Sequence, residues 1–348
     1  MSTLSALPAS ERSEPADGGG PSRAERLRRK ALGSSLSYLT AALAAMLIVF
    51  SAAAPDSFLS SYNIQTMATV ASVLLVVSIG STFVIATAGI DLSVGSVLVF
   101  SGVIAIKAMN AAGGSGAGSV LVGLGAALAS GAVWGCVNGF LVAKARVPAL
   151  IATLGSMGVA LGLAEVMTNG SDLAGVPPAL YKTIGLGKLF GAVPWIIVIA
   201  AVVTAVGGVV LTMTRFGRYT LFVGSNIEGA RRVGINVDRH LIKVYALAGC
   251  LAGLAGFLDL ALFASANIAG HNTDNLQAVT AVVLGGTSLF GGTATIIGTV
   301  IGVFIPAVLQ NGFVILKVQT FWQEVAIGAV LVVAVYLDQL KRQSRNKS

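Results

Sequence analysis

The chain has 348 residues, of which 55% are hydrophobic and only 10% charged, against roughly 25% charged in an ordinary soluble domain. So few charges cannot cover a water-soluble surface, and the apolar content excludes disorder. The formal charge of +8 would suggest nucleic acid in a soluble protein, but its placement along this chain points to a membrane.

Residues 1–35 form a polar leader rich in Ser, Pro and Gly, with a basic cluster at Arg23, Arg26, Arg28, Arg29 and Lys30. Such a composition buries no core and is expected to be a disordered cytoplasmic segment. An apolar run follows over 37–54. It is read as a first spanning helix, although Arg28-Arg29 and Ser51-Ala52-Ala53-Ala54 carry a faint resemblance to an export signal. Further apolar runs fall at 66–88, 92–109, 119–143, 149–168, 193–213, 243–265, 277–287, 291–311 and 320–337. A plain spanning helix needs about 20 apolar residues, so the eighth run is too short to cross alone. The fold class is therefore all-α, a polytopic membrane protein of about ten segments with a broken or short member.

Ten crossings with both termini cytoplasmic place 18 of the 22 Lys and Arg inside, leaving Lys107, Lys182, Lys188 and Lys317 outside. That split is what the positive-inside rule demands. The domain plan is then a leader over 1–35, a membrane-spanning domain over 36–340 with a cytoplasmic loop near 214–242, and a tail over 341–348. Gly131, Gly135 and Gly139 share one helix face, as do Gly249 with Gly253 and Gly298 with Gly302. Small residues at that spacing let backbones approach inside a bilayer. Cys136 and Cys250 lie inside apolar runs and suggest neither a disulfide framework nor a metal site.

An internal repeat is visible. Gly89-Ile90-Asp91-Leu92-Ser93-Val94-Gly95 pairs with Gly286-Thr287-Ser288-Leu289-Phe290-Gly291-Gly292, and Asn138-Gly139-Phe140 pairs with Asn311-Gly312-Phe313. The first half holds 24 more residues between its two motifs, part of which the loop Asn110–Ser119 would explain. Ten crossings make these repeats parallel. Glycine-interrupted apolar segments at matching places point to a transporter's central pathway.

Four carboxylates stand in or beside apolar runs: Asp91, Glu165, Asp259 and Glu324. A charge at mid-bilayer costs about 2.5–3.5 kcal/mol on an insertion scale, and the last three are expected at hydrated rims. Asp91 lies in a glycine-flanked break, where it either caps the helix that restarts or lines the pathway. In the long basic loop, Asn226 is placed to cap a short helix, Glu228 to fill its first turn and Gly234 to end it. A helix of two turns is marginal alone, so it either lies on lipid headgroups or docks on a cytoplasmic partner. His240 and His271 are expected to be solvated surface residues. No metal-binding, diphosphate-binding or phosphate-cradling motif occurs, and Gly113-Gly114-Ser115-Gly116 reads as linker rather than as a protease nucleophile.

Ala88 through Ser96 resembles the hallmark of the ribose/xylose/arabinose-type sugar-import permeases of the ATP-binding-cassette superfamily. Asn138 through Pro148, Ile151 through Gly155, Gly217 through Gly256, and Val283 through Gly292 are similar to the same family, together spanning about 38–340. The resemblance implies a homo- or heterodimeric permease in the bacterial cytoplasmic membrane, translocating a monosaccharide or polyol and performing no covalent chemistry itself. Its implied partners are a cytoplasmic ATPase, which holds the ATP and Mg, and an extracytoplasmic sugar-binding protein. Gly224, Asn226, Glu228, Ala230 and Gly234 then fall on the ATPase-coupling helix, where Gly229 and Val233 depart from the usual Ala and Ser. Asn275 stands where the family usually has Glu. The expected path residues are Asp91, Ser93, Asn138, Thr153, Thr287, Ser288 and Asn311. A branched-chain amino-acid-type permease and an ion-coupled secondary transporter are the alternatives.

Overall fold

The computed structural model describes residues 35–271 and 273–319, together with 321–323, 325, 326, 328, 329, 332 and 336. The leader (Ser35 apart), the tail, Glu324 and half of the run at 320–337 lie outside the described residues.

Among the described residues, eight helices are long and apolar enough to cross a membrane: α1 (Ser35–Ala53), α2 (Ser61–Ala86), α3 (Val94–Ala111), α4 (Gly116–Ala143), α5 (Ala149–Thr168), α6 (Trp195–Met213), α9 (Val237–Phe263) and α11 (Ile296–Ile315). Between α6 and α9 lie the short helices α7 (Arg215–Ser225) and α8 (Ile227–Arg232), and α10 (Asp274–Leu284) is the expected short segment. A two-stranded hairpin, β1 (Lys188–Leu189) with β2 (Val193–Pro194), precedes α6. The end of the bundle that carries α7 and α8 is called the lower end here.

Helices α2, α9 and most of α3 are wrapped by the others, whereas α1, α4, α5 and α6 expose apolar side chains such as Ile48, Phe140, Val166 and Val202. A helix apolar all round is at home either in a protein core or against lipid. The packing follows the glycines. A Cβ at Gly131 would overlap the carbonyl of Gly249, one at Gly135 the carbonyl of Tyr245, and one at Gly253 the carbonyl of Ala127. Antiparallel α4 and α9 therefore touch backbone to backbone. Gly298 and Gly302 do the same for α11 against Gly285 and Ala281 of the α10 segment.

The repeat is only half structural. Gly89 and Gly286 both lie in breaks at the lower end, and the Gly292 amide donates to the Ala86 carbonyl at 3.0 Å. The downstream motifs do not correspond. Asn138 lies in the lower part of α4 beside the first break, whereas Asn311 stands at the upper end of α11, paired with Asn63 near the start of α2. The 24 extra residues are an additional crossing: two helices, α3 and α4, separate the first pair of motifs, where α11 alone separates the second.

Candidate functional site

The first break forms a buried polar knot. Asp91 Oδ1 accepts from the Ser93 amide at 2.9 Å and from Ser93 Oγ at 2.6 Å, closing an Asx turn ahead of α3. Asn138 Nδ2 donates to Ser93 Oγ at 2.8 Å, and Thr153 Oγ1 donates to the Ile90 carbonyl at 3.3 Å. All four side chains are buried. Four of the seven expected path residues thus converge on one knot, joining α3, α4 and α5. The other three do not. Thr287 is buried with an unpartnered hydroxyl, Ser288 closes a turn in the second break, and Asn311 exchanges two amide hydrogen bonds with Asn63.

At the lower end, α8 has the caps expected of it. Asn226 Oδ1 accepts from the Gly229 amide at 2.7 Å, and Glu228 occupies the first turn. Gly234 adopts φ +84°, and the Ile235 amide reaches the Ala230 carbonyl at 3.0 Å, which is a Schellman closure. Buried Ala230 packs with Val223 and Val237, so the short helix has the support it needs. Its open face presents Ile227, Glu228, Arg232 and Val233. Arg231 lies 3.6 Å from Asp238, which also meets Lys144 at 3.4 Å. Gly224, in the last turn of α7, is the point of closest approach: a Cβ there would overlap the Ala86 carbonyl and crowd the Gly292 amide. The end of α7, which with α8 forms a stub at the lower end, therefore rests on both breaks at once.

His240 is not solvated. It is buried, with Nε2 3.0 Å from Thr220 Oγ1 and its ring 4.9 Å from that of Phe216, so it pins α7 to α9.

At the upper end a cavity of about 640 Å³ lies between the start of α2, the end of α9, the start of α10 and the end of α11. Its floor is the segment joining α9 to α10. That segment folds back into the bundle: the His271 carbonyl occupies the space a Cβ on Gly95 would need, and Ala266 bridges to Leu173. The re-entry brings His271 between two carboxylates, Nδ1 2.7 Å from Asp274 Oδ2 and Nε2 3.2 Å from Asp259 Oδ2. Burial alone would lower the His271 pKa, but its hydrogen bonds and the charges of Asp259 and Asp274 outweigh that and raise it to about 10. Asp259 is buried rather than rim-exposed, and His271 is largely enclosed; both differ from expectation because the loop turns inward instead of running across the surface. Glu165 is exposed, as expected. Of the seven expected path residues, only Asn311 lines this cavity.

The sequence reading missed this cluster. His271 is 12 residues from Asp259 and across a helix end, a separation that no helical or strand period brings together. The one available signal was a histidine three residues before an acid at a helix start, His271 and Asp274. Next to the cavity-lining Asp274, Asn275 Nδ2 donates to the Leu92 carbonyl at 3.1 Å. Asn275 is thus an internal strut facing the first break.

Residues 63–335 match the family described as branched-chain amino acid transport system / permease component. The chain is 38% identical over 304 residues to the ribose import permease protein RbsC of Escherichia coli K12, covering 86% of this chain and 92% of that one. It is 39% identical to the L-arabinose ABC transporter permease protein AraH of Azospirillum brasilense, covering 84% of each. It is 35% identical to the autoinducer 2 import system permease protein LsrC of Yersinia enterocolitica, covering 80% of this chain and 76% of that one. No solved structure matches the chain. A multi-pass helical bundle, a capped stub seated on two broken segments, and this extent of identity lead to one assignment: the chain belongs to this permease family and is a membrane-spanning subunit of an ATP-binding-cassette importer.

Proposed function

We propose that this subunit carries a monosaccharide or related polyol into a bacterial cell across the cytoplasmic membrane. ATP with Mg binds a separate cytoplasmic ATPase that grips α8. Ribose, arabinose and autoinducer 2 are named for the similar permeases, which favours a small polyhydroxylated solute over the branched-chain amino acid of the broader family description. An extracytoplasmic sugar-binding protein delivers the solute to the upper cavity, and a second permease, identical or homologous, completes the pathway. The lower end faces the cytoplasm, in keeping with Lys144, Arg146 and the basic α7–α8 segment gathered there; both termini lie on that side.

One observation carries this reading: Gly224, at the root of α8, is wedged against Ala86 and Gly292. A rigid-body shift of α8 together with the end of α7 therefore bears on both broken segments. Through α10 the second break is continuous with Asp274 at the cavity floor, and through Ile90 the first is tied to Thr153 and the knot. In this reading Asp91, Ser93, Asn138 and Thr153 form the internal constriction, Thr287 and Ser288 belong to the moving second break, and Asn311 belongs to the outer wall. An ion-coupled carrier would have no use for an exposed, capped stub with Glu228 and Val233 presented outward.

Glu228→Arg, or deletion of 226–233, is expected to abolish uptake of the transported sugar while membrane insertion and expression stay normal. Undiminished uptake in either variant would overturn the docking assignment.

A further inference from the structure

We propose that the upper cavity is a resting site for a neutral polyhydroxylated solute, in which Asp259 and Asp274 accept hydroxyl hydrogens and His271 is the strut that holds them. The inference rests on the importer reading for its solute class, but its geometry is independent of how transport is driven. Both carboxylates use Oδ2 on the imidazole, which leaves Oδ1 of each to meet a solute. The three groups are well sequestered, with side-chain exposures of 5%, 13% and 19% for Asp259, His271 and Asp274, yet all three line the cavity. Buried charges are held in place by mutual pairing, so the acceptors are set before any solute arrives.

The rest of the lining fits the same chemistry. Asn267, Gln277 and Gln310 supply amides that both donate and accept, which suits hydroxyls acting in both senses. Met67, Leu74 and Leu262 provide an apolar wall for a sugar's C–H face. The volume lies within the usual range for small-molecule sites, roughly 300–1,000 Å³. Neither Lys nor Arg is among the described lining residues, and two carboxylates against one imidazolium leave a formal charge of −1. A phosphorylated or carboxylated sugar would meet net repulsion with no guanidinium or ammonium to pair with. A metal ion is disfavoured as well, because both imidazole nitrogens already face carboxylates and neither is free to ligate.

The test uses the full-length permease in lipid nanodiscs without an ATPase, with saturation-transfer NMR as the readout for weak binding. The probes are D-ribose, L-arabinose, D-xylose and xylitol, with ribose 5-phosphate as the anionic comparator. At least one neutral probe is expected to bind. Asp259→Asn combined with Asp274→Asn is expected to weaken it at least tenfold, with ribose 5-phosphate silent throughout. Gln310→Ala leaves the ionic cluster untouched and is expected to weaken binding severalfold in a chain that elutes as a single folded species. Equal affinity in wild type and both variants would overturn the proposal, as would ribose 5-phosphate binding as well as the neutral sugars. Failure of every neutral probe to bind the folded wild type would overturn it too. Because the ATPase is absent, discovery of gradient-driven transport would leave this result standing, and loss of this site would leave ATP coupling intact.

Discussion

The amide of Gly292 donates to the carbonyl of Ala86 at 3.0 Å, and Gly224 lies against both. Three chain segments far apart in sequence thus meet where a side chain has no room. Replacing Gly224 by Ala puts a methyl group into the Ala86 carbonyl, so the stub must lift away from the breaks. Uptake is expected to fall at least tenfold, while co-purification of the ATPase with the permease persists because the face around Glu228 is unchanged. Normal uptake by Gly224→Ala would show that this contact does not transmit motion.

The N-terminal cap of α8 is a second, smaller lever. Asn226→Ala removes the acceptor for the Gly229 amide and is expected to cost about 1 kcal/mol of local helix stability. In a helix of six residues that loss frays the docking face. Uptake is expected to drop severalfold, with Asn226→Asp or Asn226→Ser restoring most of it. Equal loss in the Ala and Asp variants would mean that the amide itself, rather than the cap, is needed.

The α4–α9 contact sets the stability of the bundle. At Gly131 an added side chain meets backbone, which cannot rotate aside. Gly131→Val is expected to destabilise the folded permease by about 1–3 kcal/mol through overpacking, seen as a lower thermal midpoint in nanodiscs. Gly125→Ala, where nothing lies within 4 Å of the added methyl, is the control and is expected to hold the midpoint or raise it slightly, since Ala favours a helix interior over Gly.

The upper cluster gives a pH signature. The folded-state pKa of His271 is raised to about 10 from the ordinary 6.5, so its contribution to stability is complete below about pH 6.5 and is lost as pH rises through about 10. A thermal midpoint followed from pH 6 to 10.5 is expected to fall toward the alkaline end. In His271→Asn the fall is expected to be shallower, because no imidazolium remains to discharge. Parallel curves for the two proteins would show that His271 carries no such linkage.

Much of this architecture can be read along the chain, and the exceptions share a cause. Helix α5 spans 149–168 as its apolar run requires, and α8 has the caps that Asn226 and Gly234 announce. Those features are local: periodicity and capping act over a few residues. The misread features are tertiary. His240 meets Thr220 across 20 residues, His271 meets Asp259 through a loop that turns inward, and Asn311 repeats the motif of Asn138 at the opposite end of the bundle. Similarity of sequence marked the two breaks correctly because glycine is needed where backbones meet, as at Gly291 and Gly292, both of which have positive φ. The Asn-Gly-Phe match carries no such backbone demand, so it did not mark equivalent places.

In the proposed mechanism an ATPase on a separate chain moves the α7–α8 stub, a dependence that reconstitution exposes. The permease is placed in vesicles with a labelled pentose, first with imposed proton and sodium gradients alone, then with its ATPase, binding protein and ATP. The expected result is no accumulation in the first case and ATP-dependent accumulation in the second. Accumulation driven by a gradient in the permease alone would contradict it.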